Sequence, residues 1–190
     1  LIQDGLRRLS LEKSELDQFL WDLGPGSFTG LRIGLAVLKG FHLGLRKRSW
    51  GASSLDLIAV GSGLVQGELA VCVDARRERI YVAIYDFQNG MVKKTLKDSL
   101  LSFDELMKKV DHETLITGDA LSAYGDSVRK KVGKKALFLE PTFWYPRALF
   151  LIKLLDSNPK WLRPLTLRTM TPEYLRSSEA EEKFGSPRQR

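Results

Sequence analysis

Gly24-Pro25-Gly26-Ser27-Phe28-Thr29-Gly30-Leu31-Arg32-Ile33-Gly34 is the stretch that decides the fold of this chain. It follows a short apolar run, residues 19–23, and it opens a longer apolar segment, residues 31–45. Glycines permit a positive φ or the close approach of another group. A serine or threonine at such a point accepts a hydrogen bond from an early helical N–H group. The stretch therefore predicts a strand, a glycine turn and a helix that Ser27 or Thr29 caps.

The predicted helix is apolar nearly all round. Between Leu31 and Leu45 the only polar residues are Arg32, Lys39 and His42. A surface helix normally has one apolar stripe and one polar face, so this helix has more apolar surface than its own sheet can cover. We expect a second protein to cover the remainder. The segment is shorter than the roughly 20 residues that a bilayer needs, and we expect no membrane span.

The glycine turn has three interpretations. It can bind an anion at the N-terminus of the helix, although it lacks the Gly-Lys-Ser/Thr ending of a Walker loop. It can hold a catalytic serine, although Ser27 has no glycine two positions before it, as a nucleophile elbow requires. It can also be a tight connection before a closely packed helix. The turn by itself leaves all three open.

The composition is that of an ordinary globular protein, with 43% hydrophobic and 28% charged residues among 190. Cys72 is the single cysteine, so we expect no internal disulfide and a buried position for this residue. With only two histidines, His42 and His112, we expect no Cys/His metal site. No secretory leader is visible, and we expect a cytoplasmic protein.

The positive charge is concentrated in the last third of the chain. Residues 126–190 hold 14 basic and 7 acidic side chains, which equals the net charge of +7 of the whole sequence. A basic region attracts RNA phosphates, and aromatic side chains can stack on bases. The same charges can also be solvated surface residues, and the same aromatic residues can be core. The aromatic residues concerned are Phe143, Trp144, Tyr145, Trp161 and Tyr174.

The remaining pattern predicts strands and helices in both halves. Ser53 or Ser54 caps a second helix, Asn89-Gly90 marks a two-residue hairpin, and Ser102 with Glu105 forms a capping box. Strands are predicted at 69–74, 80–87, 91–96, 114–117 and 136–139, and helices at 1–9, 103–110, 121–131 and 146–155. The predicted division is an N-terminal lobe over 1–63, a C-terminal lobe over 64–178 and a polar tail over 179–190.

Several motifs, in the same order along the chain, resemble those of the TsaB (YeaZ) family, the accessory proteins of bacterial tRNA threonylcarbamoyladenosine synthesis. The motif at 24–34, continued by Leu35-Ala36 and Lys39-Gly40, is the most specific of them. The others are Ser53-Ser54-Leu55-Asp56, Val73-Asp74-Ala75-Arg76-Arg77, Ile80-Tyr81, Gly118-Asp119-Ala120 and Pro172-Glu173-Tyr174-Leu175-Arg176. The resemblance covers roughly residues 10–178.

The resemblance implies an α/β fold of the actin-like, ribonuclease-H-like (ASKHA) kind with two lobes. Members of the family begin with a strand that carries an Asp-Thr-Ser-like phosphate turn, followed by a hairpin and a helix. This sequence starts at Leu1, in what looks like the end of that helix, so we expect the first strands of the N-terminal lobe to be missing. We expect no cofactor on the chain alone and a nucleotide, if any, only at the interface with a partner subunit.

The resemblance also implies a non-catalytic partner subunit. In the family, a TsaD-like paralogue carries the metal and transfers the threonylcarbamoyl group to the adenosine beside the anticodon. We expect the helix after the glycine motif to pair with that paralogue, or with a second copy when the paralogue is absent. A TsaE-like ATPase is a further expected partner, and tRNA is expected to bind indirectly, through the complex. The expected contact residues are Phe28, Thr29, Gly30, Leu31, Ile33, Gly34, Leu35, Val37, Leu38 and Phe41.

The alternative function is a metal-dependent hydrolase or an ATPase, because the wider M22-related family was long labelled glycoprotease. Either activity requires a metal cluster, an activated nucleophile or a phosphate-binding motif. None of these is visible, since Ser27 has no histidine or lysine near it in the sequence, and we expect the phosphate strand of the family to be missing. We therefore expect no catalytic and no metal-binding residues.

Overall fold

The computed structural model describes residues 2–64, 66–110, 113–132 and 137–172. His112, the aromatic residue Tyr174 with the end of its motif, and the predicted polar tail at 179–190 lie outside these residues. Within the described residues, none of the helices combines the length and the apolar character that crossing a membrane requires.

Helices and strands occur in both halves, as predicted. The helices are α1 (Ile2–Arg8), α2 (Phe28–Leu45), α3 (Ser54–Gly61), α4 (Phe103–Met107), α5 (Ala120–Val132) and α6 (Ala148–Ser157). The strands are β1 (Gln18–Asp22), β2 (Arg48–Ala52), β3 (Gly67–Asp74), β4 (Ile80–Gln88), β5 (Met91–Leu101), β6 (Leu115–Thr117), β7 (Leu137–Phe138) and β8 (Arg163–Pro164).

The glycine stretch connects β1 to α2, which confirms the predicted strand, turn and helix. Ser27, not Thr29, is the cap, and its Oγ accepts a hydrogen bond from the N–H of Gly30 at 3.3 Å. The helix begins at Phe28, directly after this cap, and ends at Leu45, and the backbone of Arg46 that follows is left-handed. The turn and the cap together fix the direction in which α2 leaves the sheet.

The first sheet has three strands in the order β1-β2-β8. β1 runs parallel to β2, and β8 is antiparallel to β2. The strand β2 was not predicted from the sequence. Close packing explains the glycine at position 51 in β2, since a Cβ there would overlap the side chain of Leu23.

The second sheet has five strands in the order β5-β4-β3-β6-β7. The hairpin between β4 and β5 is confirmed, because Asn89 and Gly90 have φ of 52° and 77°, as a type I′ turn requires. β5 continues to Leu101, past the predicted end at residue 96, and its side chains alternate between exposed and half-buried. This alternation is typical of an antiparallel strand with one solvated face.

Helix α3 lies between the two sheets and joins their cores. Leu55 and Ile58 are fully buried among side chains of the second sheet. Leu57, on the opposite face, packs with Phe150 and Leu154 of α6. Both faces of this short helix are therefore apolar because each face packs against a different core cluster.

A buried polar network holds the start of α3 on the second sheet. The Oδ1 atom of Asp56 accepts hydrogen bonds from the hydroxyl of Tyr85 at 2.8 Å and from the ammonium of Lys94 at 2.6 Å. Lys94 also forms an ion pair with Asp98, which accepts a hydrogen bond from Ser53. Burial raises the pKa of Asp56, although the neighbouring ammonium acts against this rise. The network satisfies polar groups that would otherwise be costly to bury.

The end of the described chain returns to the first sheet. Leu165 and Met170 pack with Leu23, Leu35 and Leu38 in one apolar cluster, and β8 pairs with β2. Part of the predicted C-terminal lobe over 64–178 therefore contacts the first sheet, and the division into two lobes and a tail stays a prediction. The pairing with β8 also covers an edge of β2 that would otherwise be unpaired.

Gly118 offers a test of the packing between β3 and β6. Its φ is +114°, and a Cβ added there would overlap the carbonyl oxygen of Cys72. We predict that Gly118→Ala lowers the free energy of unfolding by about 3 kcal/mol or more, because it combines backbone strain with overpacking. Urea denaturation measures this change.

The matched control is Gly125→Ala, since the nearest atom to a Cβ at Gly125 in α5 is 3.9 Å away. This variant should be as stable as the parent or up to about 1 kcal/mol more stable, because alanine favours a helix over glycine. Equal effects of the two substitutions would contradict the steric argument.

Candidate protein-interaction surface

Helix α2 has one face inside the protein and one face outside. Leu38 is completely buried and Leu35 is 6% exposed. Both pack in the cluster with Leu23, Leu165 and Met170. These two leucines anchor α2 to the first sheet and fix its rotation about its own axis.

The outer face carries a stripe of exposed apolar residues, which we call the α2 stripe. Its three large members are Ile33, Val37 and Leu43, which are 62%, 43% and 61% exposed. Small exposed residues lie between them, namely Ala36, Gly40 and Gly44. Positions three, four and seven apart lie on one side of a helix, so these residues form one continuous apolar surface.

The predicted contact residues divide between these two faces. Thr29, Gly30, Ile33 and Val37 are exposed. Leu35 and Leu38 are buried in the core of the chain, and contact of the ten residues with a partner stays a prediction. Ala36 and Leu43 were not among the predicted contact residues. Both lie on the face of α2 opposite Leu35 and Leu38 and are exposed.

The remaining predicted contact residues are half-buried, namely Phe28, Leu31, Gly34 and Phe41. The guanidinium of Arg32 lies 3.9 Å from the ring centre of Phe28, and the ring of Phe41 packs on that of Phe19 at 5.4 Å. Leu31 closes over Gly24, and a Cβ at Gly34 would lie 3.0 Å from the indole of Trp21. Gly34 therefore packs on its own sheet.

An open depression of about 400 Å³ lies beside the C-terminal half of α2. Its lining residues are Lys13, Val37, Gly40, Phe41, Gly44 and Leu45. The segment before β1 forms one wall, because the ammonium of Lys47 donates a hydrogen bond to the carbonyl of Ser14 at 2.8 Å. The apolar residues Leu9 and Leu11, just before this segment, are also exposed.

The glycine turn lies at the other end of α2, beside two carboxylates. Asp22 Oδ1 accepts hydrogen bonds from the N–H of Gly24 at 2.9 Å and from the hydroxyl of Ser54 at 2.6 Å. Burial raises the pKa of Asp22. Asp119 lines the same cleft, of about 280 Å³, together with Ser27. Carboxylates on the wall of this cleft disfavour the anion-binding interpretation of the turn, since like charges repel.

The structure does not bring together the groups that a catalytic serine needs. Ser27 caps α2, while Nδ1 of His42 lies 3.2 Å from the hydroxyl of Ser49 near the opposite end of the helix. Fifteen residues of helix separate Ser27 from His42 by roughly 22 Å. In the described part of the chain, no three or more His, Cys, Asp or Glu side chains are grouped so that they could hold a metal ion.

Cys72 is fully buried, as predicted, and burial raises the pKa of its thiol. Two of the aromatic residues in the basic third also pack inside. The ring of Trp161 packs on that of Tyr85 at 5.4 Å, and the indole of Trp144 donates a hydrogen bond to the carbonyl of Leu139 at 2.8 Å. Tyr145 is exposed. The core interpretation thus holds for the two tryptophans.

Comparison with known proteins identifies related sequences and structures. The family model for TsaD, described as tRNA N6-adenosine threonylcarbamoyltransferase, matches residues 1–145. The tRNA threonylcarbamoyladenosine biosynthesis protein TsaB of Bacillus subtilis is 27% identical over 182 residues, which cover 94% of this chain and 78% of that protein. The TsaB of Escherichia coli is 29% identical over 134 residues, which cover 66% of this chain and 57% of that protein.

Two solved structures from Pseudomonas aeruginosa have the same fold. One is described as an uncharacterized protein with similarity to peptidase YEAZ, and it matches with a TM-score of 0.75, at 22% identity, over 92% of this chain and 81% of that chain. The other is described as YeaZ and matches with a TM-score of 0.73 at 21% identity over the same shares. This likeness confirms the predicted actin-like, ribonuclease-H-like fold.

The two faces of α2 should respond differently to truncation. We predict that Leu38→Ala lowers the free energy of unfolding by about 2–5 kcal/mol, because it leaves a cavity in the core. Val37→Ala on the outer face should change the stability of the monomer by less than about 1 kcal/mol. Urea denaturation of both variants at low protein concentration measures these values, and a similar loss in both would contradict the assignment of the two faces.

The carboxyl of Asp22 should make stability depend on pH. Burial raises the pKa of Asp22 in the folded state above the usual 3.8. The protonated carboxyl therefore contributes fully to the free energy of unfolding below pH 3.8, and this contribution is lost as the pH rises through the pKa of the folded state. Asp22→Asn keeps an oxygen for both hydrogen bonds and carries no charge. We predict that the variant gains stability relative to the parent as the pH rises from about 4 to about 7. Denaturation at several pH values measures this gain, and a difference that does not vary with pH would contradict the prediction.

Proposed function

Because this chain belongs to the TsaB (YeaZ) family, we propose that it acts in the synthesis of tRNA threonylcarbamoyladenosine as a non-catalytic partner subunit. The observation that supports this role best is the α2 stripe. Contiguous exposed apolar residues on one face of a helix are typical of protein interfaces. The proposed occupant is a TsaD-like catalytic subunit, which would bury Ile33, Val37 and Leu43.

The energetics require a partner that covers more than the α2 stripe. Complete burial of an aliphatic side chain contributes about 1.5–3 kcal/mol, and the three large residues are already partly covered. Association costs about 4–15 kcal/mol in translational and rotational freedom. The proposed interface therefore includes the exposed leucines Leu9 and Leu11 after α1, which lie next in sequence to the wall of the α2 depression.

The other proposed interactions follow from membership of a complex. A TsaE-like ATPase would join the assembly, a nucleotide would bind only at an interface between subunits, and tRNA would be held mainly by the assembled complex in the cytoplasm. These proposals assign no catalytic residue to this chain. They leave the metal and the group transfer to the TsaD-like subunit.

A charge in the α2 stripe should prevent pairing without unfolding the chain. We predict that Val37→Asp reduces binding to a TsaD-like subunit at least about a hundredfold, because burial of an unpaired carboxylate costs several kcal/mol. Binding is measured by titration calorimetry, and threonylcarbamoyladenosine formation on tRNA is measured by mass spectrometry of a reconstituted reaction. Activity should fall in parallel with binding.

The matched control is Met91→Asp, which places the same charge on a residue that is 73% exposed at the hairpin of the second sheet. This variant should bind and support the reaction like the parent. Retention of full binding by Val37→Asp would contradict the proposed interface. Peptide hydrolysis by the isolated chain that a metal chelator abolishes would instead support the alternative, a metal-dependent hydrolase.

A further inference from the structure

Two adjacent serines at the start of α3 form hydrogen bonds with carboxylates of two different sheets. The hydroxyl of Ser54 donates a hydrogen bond to Oδ1 of Asp22, the last residue of β1, at 2.6 Å. The hydroxyl of Ser53 donates a hydrogen bond to Oδ2 of Asp98 in β5 at 2.5 Å. Both serines are buried. The start of α3 is therefore held by the first sheet and by the second sheet at neighbouring positions.

On the side of the first sheet, Ser54 is bonded to the turn that precedes α2. Oδ1 of Asp22 also accepts a hydrogen bond from the N–H of Gly24 at 2.9 Å. The carbonyl of Gly24 in turn accepts a hydrogen bond from the N–H of Ser54 at 2.7 Å. These three residues thus form a closed ring of hydrogen bonds. Because the turn fixes the direction in which α2 leaves the sheet, a displacement of Ser54 would also displace the N-terminal end of α2.

On the side of the second sheet, the start of α3 depends on the ammonium of Lys94. This group forms an ion pair with Asp56 in the first turn of α3 at 2.6 Å and a second ion pair with Asp98. All three side chains are largely buried. One cation therefore compensates two carboxylates, and its removal would leave them to repel each other in a medium that screens charge poorly. The position of the start of α3 is thus sensitive to this one side chain.

We propose that Lys94 in the second sheet is a positioning residue for the α2 stripe. It acts through a series of hydrogen-bonded residues that we call the α3 relay, namely Asp98, Ser53, Ser54 and Asp22. This inference rests on the proposed function, because the α2 stripe is the surface proposed to bind the catalytic subunit. Coupling between two sites is reciprocal, so binding of that subunit tightens the α3 relay. The second sheet thereby regulates the affinity of the α2 stripe for its partner.

Amide hydrogen exchange of the isolated protein, followed by NMR, tests the α3 relay. We predict that Lys94→Met speeds exchange at Gly24 and Ser54 at least about tenfold, because the N–H groups of both residues donate hydrogen bonds within the ring. The N–H of Leu139 donates to the carbonyl of Ile116 at 3.0 Å, at the edge of the second sheet opposite β5. Exchange at Leu139 should match the parent, and equal acceleration there would overturn the relay in favour of a general loss of stability.

Two further variants separate the relay from a local effect. Lys97→Met removes an exposed lysine from the same strand and should leave exchange at Gly24 unchanged. Ser54→Ala interrupts the relay, so Lys94→Met should speed exchange at Gly24 no further in that background. Additive effects of the two substitutions would overturn the relay. If Lys94→Met does not fold, Ser53→Ala, which keeps both ion pairs, replaces it in the same comparison.

Titration calorimetry with a TsaD-like subunit connects the relay to the α2 stripe. Lys94→Met should weaken binding at least about fivefold, and Lys97→Met should bind like the parent. In the complex of the parent, exchange at Ser54 should be slower than in the free protein, and no slowing would overturn the reciprocal coupling.

The same titrations distinguish this inference from the proposed function. Loss of binding in Val37→Asp, with the affinity of the parent retained in Lys94→Met, would overturn the positioning role and leave the proposed function standing. Absence of binding by the parent would contradict the proposed function and the positioning role together. The exchange rates at Gly24 would still decide whether the relay exists.

Discussion

The burial of Leu35 and Leu38 beneath α2 is the constraint on which the other features of this protein depend. These side chains lock with Leu23, Leu165 and Met170 into one apolar cluster, and this cluster sets the rotation of the helix. Because a helix is a rigid cylinder with a fixed angular spacing of 100° per residue, fixing two residues inside also determines which residues face outward. The apolar residues on the outward face do not pack in this cluster. Their apolar character therefore does not contribute to the stability of the core of the monomer.

A second constraint joins the two sheets. α3 contributes apolar residues to both cores, and its first turn is held by the network of Asp56, Lys94 and Asp98. Such a network binds the helix in one position, since a buried charge that loses its partner is strongly destabilising. The docking of α2 on the first sheet therefore takes place on a scaffold whose lobes are connected through a helix with little freedom to move.

The sequence alone was sufficient for local features that a few side chains determine. The turn at Asn89-Gly90, the caps at Ser27 and Ser53 and the capping box at Ser102 are of this kind. The sequence alone was insufficient for features that depend on contacts between residues far apart in the chain. The strand β2 was missed because its partners lie in β1 and β8, some thirty and more than a hundred residues away. The burial of Leu35 and Leu38 was not predicted for the same reason, because nothing near them in the sequence indicates that residues 165 and 170 cover them.

The return of the chain to the first sheet also dictates the order of events during synthesis. Polypeptides emerge from the ribosome N-terminus first, so α2 is made long before β8, Leu165 and Met170 are available to cover its inner face. Until then the helix has apolar surface on both sides and no defined orientation. The cluster that orients α2 can therefore be completed only after translation has passed Met170.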